Sequence, residues 1–139
     1  MPPRLTPLSE TELEVLKALW DRGSGTVREI NELLAERGRR WAYTTVLTLL
    51  ARLEAKGYAA SDKSGVAHVF RPRVTRDKLL VERLDTLAAE LCEGTATPLV
   101  QALVQGRRFT AAEIARFRQL LDELEVRPAS PSSKRKRKP

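Results

Sequence analysis

Thr44 and Thr48, four residues apart and flanked by Tyr43, Leu47, Ala51 and Arg52, are the groups of this chain best suited to chemistry with a partner. At about 100° per residue they share one side of a helix over roughly 42–56. Val46, Leu49, Leu50 and Leu53 recur at i, i+3, i+4 and i+7, and make the other side an apolar stripe that must face a core. A solvated helix face ordinarily carries Glu and Lys. Hydroxyls, small apolar groups, one aromatic and one arginine instead suit the major groove of DNA. Hydroxyls bond base edges or phosphates, a small apolar group meets a thymine methyl, and arginine takes a phosphate or a guanine. The same composition also fits a helix end packed on a partner helix.

Trp41, Ala42 and Thr45 extend this candidate surface around the start of the helix. No Ser, Thr, Asp or Asn stands at the expected cap before Ala42. Either the helix begins a turn away, or its free N–H groups are left for phosphate oxygens.

Catalysis finds no comparable constellation. His68 is the sole histidine and Cys92 the sole cysteine, so a metal site or a catalytic triad built on either lacks partners. There is no nucleophile elbow, glycine-rich phosphate loop or paired metal-ligand spacing. The expectation is a protein that is not an enzyme and uses no cofactor. Cys92 reads as a small buried apolar group, and one cysteine permits no intrachain disulfide.

The 139 residues suffice for one modest domain or a small domain with an appendage. A formal net charge of +7 points to a polyanion, either nucleic acid or an acidic membrane surface. Five of the 25 Lys and Arg are Lys134, Arg135, Lys136, Arg137 and Lys138. Against 18 Asp and Glu, residues 1–127 therefore carry only +2, and DNA affinity must come from where those charges sit. No apolar run approaches the ~20 residues of a membrane span, and the start of the chain has no signal-peptide core, so a cytoplasmic location is expected.

The elements that must position Thr44 and Thr48 follow from local signals. After a short extended lead over Met1–Pro7, Ser9-Glu10-Thr11-Glu12 is a capping box, with Leu8 and Leu13 as a hydrophobic staple. The helix it opens should bury Leu13, Leu16, Leu19 and Trp20 and stop at Gly23. Thr26-Val27-Arg28-Glu29 is a second box, opening a helix with Ile30, Leu33 and Leu34 inward. Past Gly57, Tyr58–Lys63 and Val66–Arg71 alternate as two strands around Ser64-Gly65, closed by Pro72. Three helices then a hairpin is the order of a winged helix-turn-helix. Arg28, Arg52, Lys63 and Arg71 would hold phosphates, and His68 would approach them or the minor groove from the wing; each wing residue also reads as a plain solvated strand residue.

Beyond this first domain, placed at 1–73, Leu80, Leu84, Leu87 and Leu91 recur at spacings of four, three and four, a seam used between helices. Thr97-Pro98 caps a further helix with Leu99, Val100, Leu103 and Val104, and Thr110–Glu113 boxes a last one burying Ile114, Phe117, Leu120, Leu121 and Leu124. About fifty residues make a poor core for such leucine-rich faces. Residues 74–126 are therefore expected to form a helical dimerisation domain through Leu80, Leu84, Leu87, Leu91, Leu99, Leu103, Phe117 and Leu121; folding back on the winged helix is the alternative. The segment 127–139 reads as a disordered basic tail. The fold class is thus mainly α with a small β-hairpin.

The runs Leu8-Ser9-Glu10-Thr11-Glu12-Leu13, Trp20 and Ala42-Tyr43-Thr44-Thr45-Val46-Leu47 through Gly57-Tyr58 resemble the penicillinase-repressor family, of the BlaI, MecI and CopY type, over roughly residues 5–125. The resemblance implies a homodimeric winged-helix repressor on a palindromic operator, with the C-terminal helices as the dimer interface. It also implies relief of repression by cleavage, triggered indirectly by a membrane sensor metalloprotease. Where penicillinase repressors are cut, at an asparagine-phenylalanine pair, this chain has Ala102-Leu103, the candidate cleavage region. The cysteine-rich end of the copper-responsive branch is replaced here by Lys and Arg, which excludes copper sensing by that route. Read from the residues alone, a protein-interaction adaptor or a non-specific architectural DNA binder remains as an alternative.

Overall fold

Two reciprocal caps fix where the first helices begin. In the computed structural model, which describes residues 6–126, the Ser9 hydroxyl accepts the Glu12 N–H at 3.1 Å and Glu12 Oε1 accepts the Ser9 N–H at 2.9 Å. Thr26 and Glu29 repeat the arrangement at 3.2 and 2.9 Å. Each box satisfies two donors that a helix start leaves orphaned. Helix α1 accordingly spans Glu10–Arg22 and α2 spans Val27–Glu36. Gly23 ends α1 at φ 93°, where a side chain would be strained. The first residues of the expected lead and the basic tail at 127–139 lie outside the described residues.

Helix α3, Tyr43–Ala55, buries Val46, Leu49, Leu50 and Leu53, the four positions of the apolar stripe. It packs on α1 and α2 through Val15, Leu16, Leu19, Ile30 and Leu34. Tyr58, Ala59, Phe70, Val74 and Leu79 complete this core. Leu13, Leu33 and Trp20, expected inside, are only partly buried against it, whereas Val15 and Ala18 are fully enclosed.

The sheet has three strands, not the expected two. Besides β2, Ala59–Asp62, and β3, Val69–Pro72, a two-residue strand β1, Gly25–Thr26, joins in the order β1-β3-β2, all antiparallel. Gly25 lies opposite Phe70 and Thr26 opposite Val69, while Ser61 faces Phe70 from the other side. The hairpin strands are shorter than read from alternation, because residues 63–68 form a loop whose turn is closed by Asp62. Its Oδ1 accepts the Ser64 N–H at 2.9 Å and the Ser64 hydroxyl at 2.7 Å.

The described residues divide into two compact units, one up to residue 82 and one from residue 83 on. The first reaches beyond the expected boundary at 73 because the start of helix α4, Arg76–Leu91, belongs to its core through Leu79. Trp20 donates its indole N–H to the Val74 carbonyl at 2.8 Å, and the Arg76 guanidinium lies 5.2 Å from the Trp20 ring centroid. Asp21 receives Arg37 at 2.6 Å and Arg76 at 3.3 Å, and the Arg37 hydrogen bond holds its carboxyl below the ordinary aspartate range.

The second unit contains the rest of α4, α5 at Thr97–Gly106 and α6 at Ala111–Val126. Thr110 and Glu113 form the third box at 3.1 and 2.8 Å. The cap of α5 differs from expectation: Ala96 occupies it without a side-chain bond, and Thr97 is already helical, so Pro98 sits in the first turn one position further along. Phe109 meets the Phe117 ring edge-on at 5.1 Å. Within this unit only Ala88 is buried among the described residues. Leu84, Leu87, Leu91, Leu103, Phe117, Leu120, Leu121 and Leu124 all remain exposed, so the inward faces expected of α5 and α6 are open in the single chain. No helix among the described residues is long and apolar enough to cross a membrane.

Candidate nucleic-acid interface

The face of α3 opposite the core carries Tyr43, Thr44, Leu47, Thr48, Ala51 and Arg52, every one exposed. Its cap, Ala42, is extended at φ −67° and ψ 154° and makes no side-chain hydrogen bond to the helix. The first-turn N–H groups of α3 therefore lack the cap hydroxyl that accepts one such group in α1 and in α2. Residues 43–51 contain no charged side chain, and the first acid, Glu54, turns away to accept the Ser61 hydroxyl at 2.7 Å.

Two concavities flank this face. One of about 570 Å³ is lined by Thr26, Val27, Arg28, Tyr43, Leu47, Val66, Ala67 and His68, so the start of α2, the start of α3 and the wing loop share it. It brings Arg28, Tyr43, Leu47 and His68, predicted from separate stretches, to one place. The other, about 360 Å³, is lined by Thr11, Trp41, Thr44, Thr45, Thr48, Leu49 and Arg52. Trp41 has a double position here: its ring is half-buried against the core yet borders the threonine groove, with the Arg39 guanidinium 6.0 Å from its centroid. Its packing explains why an aromatic rather than a flexible chain leads into α3.

The predicted phosphate ligands differ in freedom. Arg28, Arg52 and Arg71 make no ion pair among the described residues, whereas Lys63 lies 3.9 Å from Glu54 and is partly committed to α3. Arg71 is exposed on β3 opposite Ala60. The Ser64 hydrogen bonds, aided by the Arg71 charge, keep the Asp62 carboxyl below its ordinary range. Arg40, immediately before Trp41, is exposed and also without an ion pair among the described residues; two adjacent arginines ahead of an uncapped helix are its signal in the sequence. Thr11 has no such signal, since only the packing of α1 beside α3 brings its first turn to the groove.

The end of α3 is anchored from below. Lys56 Nζ donates to Glu12 Oε1 at 2.6 Å and to the Pro7 carbonyl at 2.9 Å, and the Tyr58 hydroxyl donates to the Thr6 carbonyl. Glu12 is 2% exposed, the one buried charged residue among those described. Burial would raise its pKa, but the Lys56 and Ser9 hydrogen bonds outweigh that and hold the carboxyl below its ordinary range.

A sequence profile of the penicillinase repressor family matches residues 8–123. The chain belongs to that family. Its match runs through both compact units and ends within α6. Among characterised relatives, the transcriptional regulator BlaI of Mycobacterium tuberculosis is 36% identical over 125 residues, covering 88% of each chain. The penicillinase repressor of Bacillus licheniformis is 25% identical over 120 residues, covering 86% of this chain and 93% of that one. The solution structure of the DNA-binding domain of the repressor BlaI is 28% identical, covers 55% of this chain and 93% of its own, and superposes with a TM-score of 0.48.

Proposed function

We propose that this DNA-binding transcriptional repressor works in the cytoplasm as a homodimer, each copy placing α3 in the major groove of one half of a near-palindromic operator. The observation that carries the reading is the outer face of α3: uncapped, free of acids, lined with hydroxyls and bordered by arginines that make no ion pair among the described residues. Tyr43, Thr44, Leu47 and Thr48 lie along base edges. Arg28, Arg52 and Arg71 hold phosphates on either side, and His68 approaches from the wing. Two-fold symmetry places the half-sites about one or two helical turns apart.

The dimer forms through the second unit, whose open leucine faces find in a second copy the apolar partner they lack in one. Ala102 and Leu103 lie inside α5, and with Leu84, Leu87 and Leu99 line a concavity of about 560 Å³. Scission there, triggered indirectly by a membrane sensor metalloprotease, would sever α6 from the dimer face and release the operator.

Titration of the DNA upstream of its own gene in a mobility-shift assay tests this. Specific binding at least ~10³-fold tighter than to random DNA is expected, and a gain under about tenfold overturns it. Within that assay Thr48→Ala should cost ~1–3 kcal/mol at the operator if the hydroxyl bonds a base edge, and little on random DNA. Arg52→Ala should weaken both equally and lower the slope of log K against log salt by ~0.9, the release of one counterion. An unchanged slope would remove Arg52 from the phosphate ligands.

A further inference from the structure

The centre of the α3 face is unusual for what it omits. In the major groove guanine is read by Arg or Lys, adenine by Asn or Gln, and the cytosine amino group by Asp or Glu. None of these residue types occurs between Tyr43 and Ala51. Arg28 and Arg52 stand at opposite margins, in separate concavities, and Arg40 lies ahead of the helix. What the centre offers is carbon: Leu47 is 39% exposed and Ala51 is also exposed, on a helix that buries Val46, Leu49, Leu50 and Leu53. The two threonines add a methyl beside each hydroxyl. The C5-methyl of thymine is the apolar group among the major-groove features that distinguish the base pairs.

We propose that α3 selects its site chiefly through thymine methyl groups, with Leu47 and Ala51 as the contacting side chains and Arg28 and Arg52 supplying phosphate contacts that do not choose among bases. Thr44 and Thr48 complete the contact by bonding thymine O4 or the amino group of its paired adenine. This rests on the placement of α3 in the major groove proposed above.

The test separates the two. Full-length protein is used to enrich duplexes from a random pool, and the enriched duplex is remade with deoxyuridine at each half-site thymine in turn, which keeps every hydrogen-bonding atom and deletes only the methyl. At one or two positions affinity should fall about fourfold, the worth of one buried methyl group. Leu47→Ala, an exposed substitution whose folding circular dichroism confirms, should abolish that difference at one of those positions. An enriched site indifferent to deoxyuridine, or a penalty that persists in full in Leu47→Ala, overturns the methyl reading alone. A pool that enriches no sequence overturns the placement of α3 as well.

Discussion

Leu87→Glu should convert the proposed dimer to a monomer and lower operator affinity by about 10²–10⁴, the range lost when two linked binding events become independent. Leu87 is 39% exposed in the single chain and shares a concavity with Leu84, Leu99 and Leu103. A carboxylate there is solvated in a lone copy but loses that solvation at an apolar interface. Only Ala88 is buried among the described residues of that unit, so the substitution removes little internal packing. The first unit, with its own core, should keep its weak half-site and random-DNA binding. Light scattering after size exclusion reads the assembly, and a mobility shift reads the operator. A variant that stays dimeric, or a wild type that is monomeric at micromolar concentration, sinks the dimeric account.

The second large effect concerns the anchor beneath α3. Lys56→Met keeps the aliphatic stem but removes the ammonium from Glu12, whose side chain is only 3% exposed. A buried carboxylate deprived of its cation should cost about 2–4 kcal/mol of stability in denaturant unfolding. The pH dependence distinguishes this from a mere packing loss. With its folded pKa lowered, Glu12 contributes stability that is fully present above its ordinary range and is lost as pH falls through the lowered value. Without Lys56 only the Ser9 hydrogen bonds are left to oppose burial, so the stability this group loses on acidification should shrink. Asp21, Glu29 and Asp62, also lowered, act alike in both proteins, and the difference between the two stability curves isolates Glu12. Parallel curves would show that Lys56 does not set the ionisation of Glu12.

What the chain discloses in its letters is what is decided within one turn. The boxes at Ser9, Thr26 and Thr110 need only residues three apart, and all three form. The α3 stripe is equally local. Strand β1 was not foreseen because two residues have no period and their partners, Val69 and Phe70, lie far along the chain. Leu79, rather than its neighbour Leu80 in the heptad seam, enters the core because the start of α4 is turned by the Trp20–Val74 bond and Asp21–Arg76 pairing. Lys63 reads as a free wing cation until the fold brings Glu54 near it. The gathering of Arg28, Tyr43 and His68 around one hollow depends on tertiary placement that no spacing encodes.

The middle position of β3 also bears on how the protein would meet a duplex. Because that strand is laced on both flanks, a slip of one residue would have to be matched twice and would turn Phe70 out toward water. The root of the wing is thus locked to the α1–α2 connection, while the short loop from Lys63 to His68 stands exposed beyond the paired strands, with Val66 at its fully bare tip. In the proposed complex that loop would reach the duplex from a root whose register is fixed on both sides.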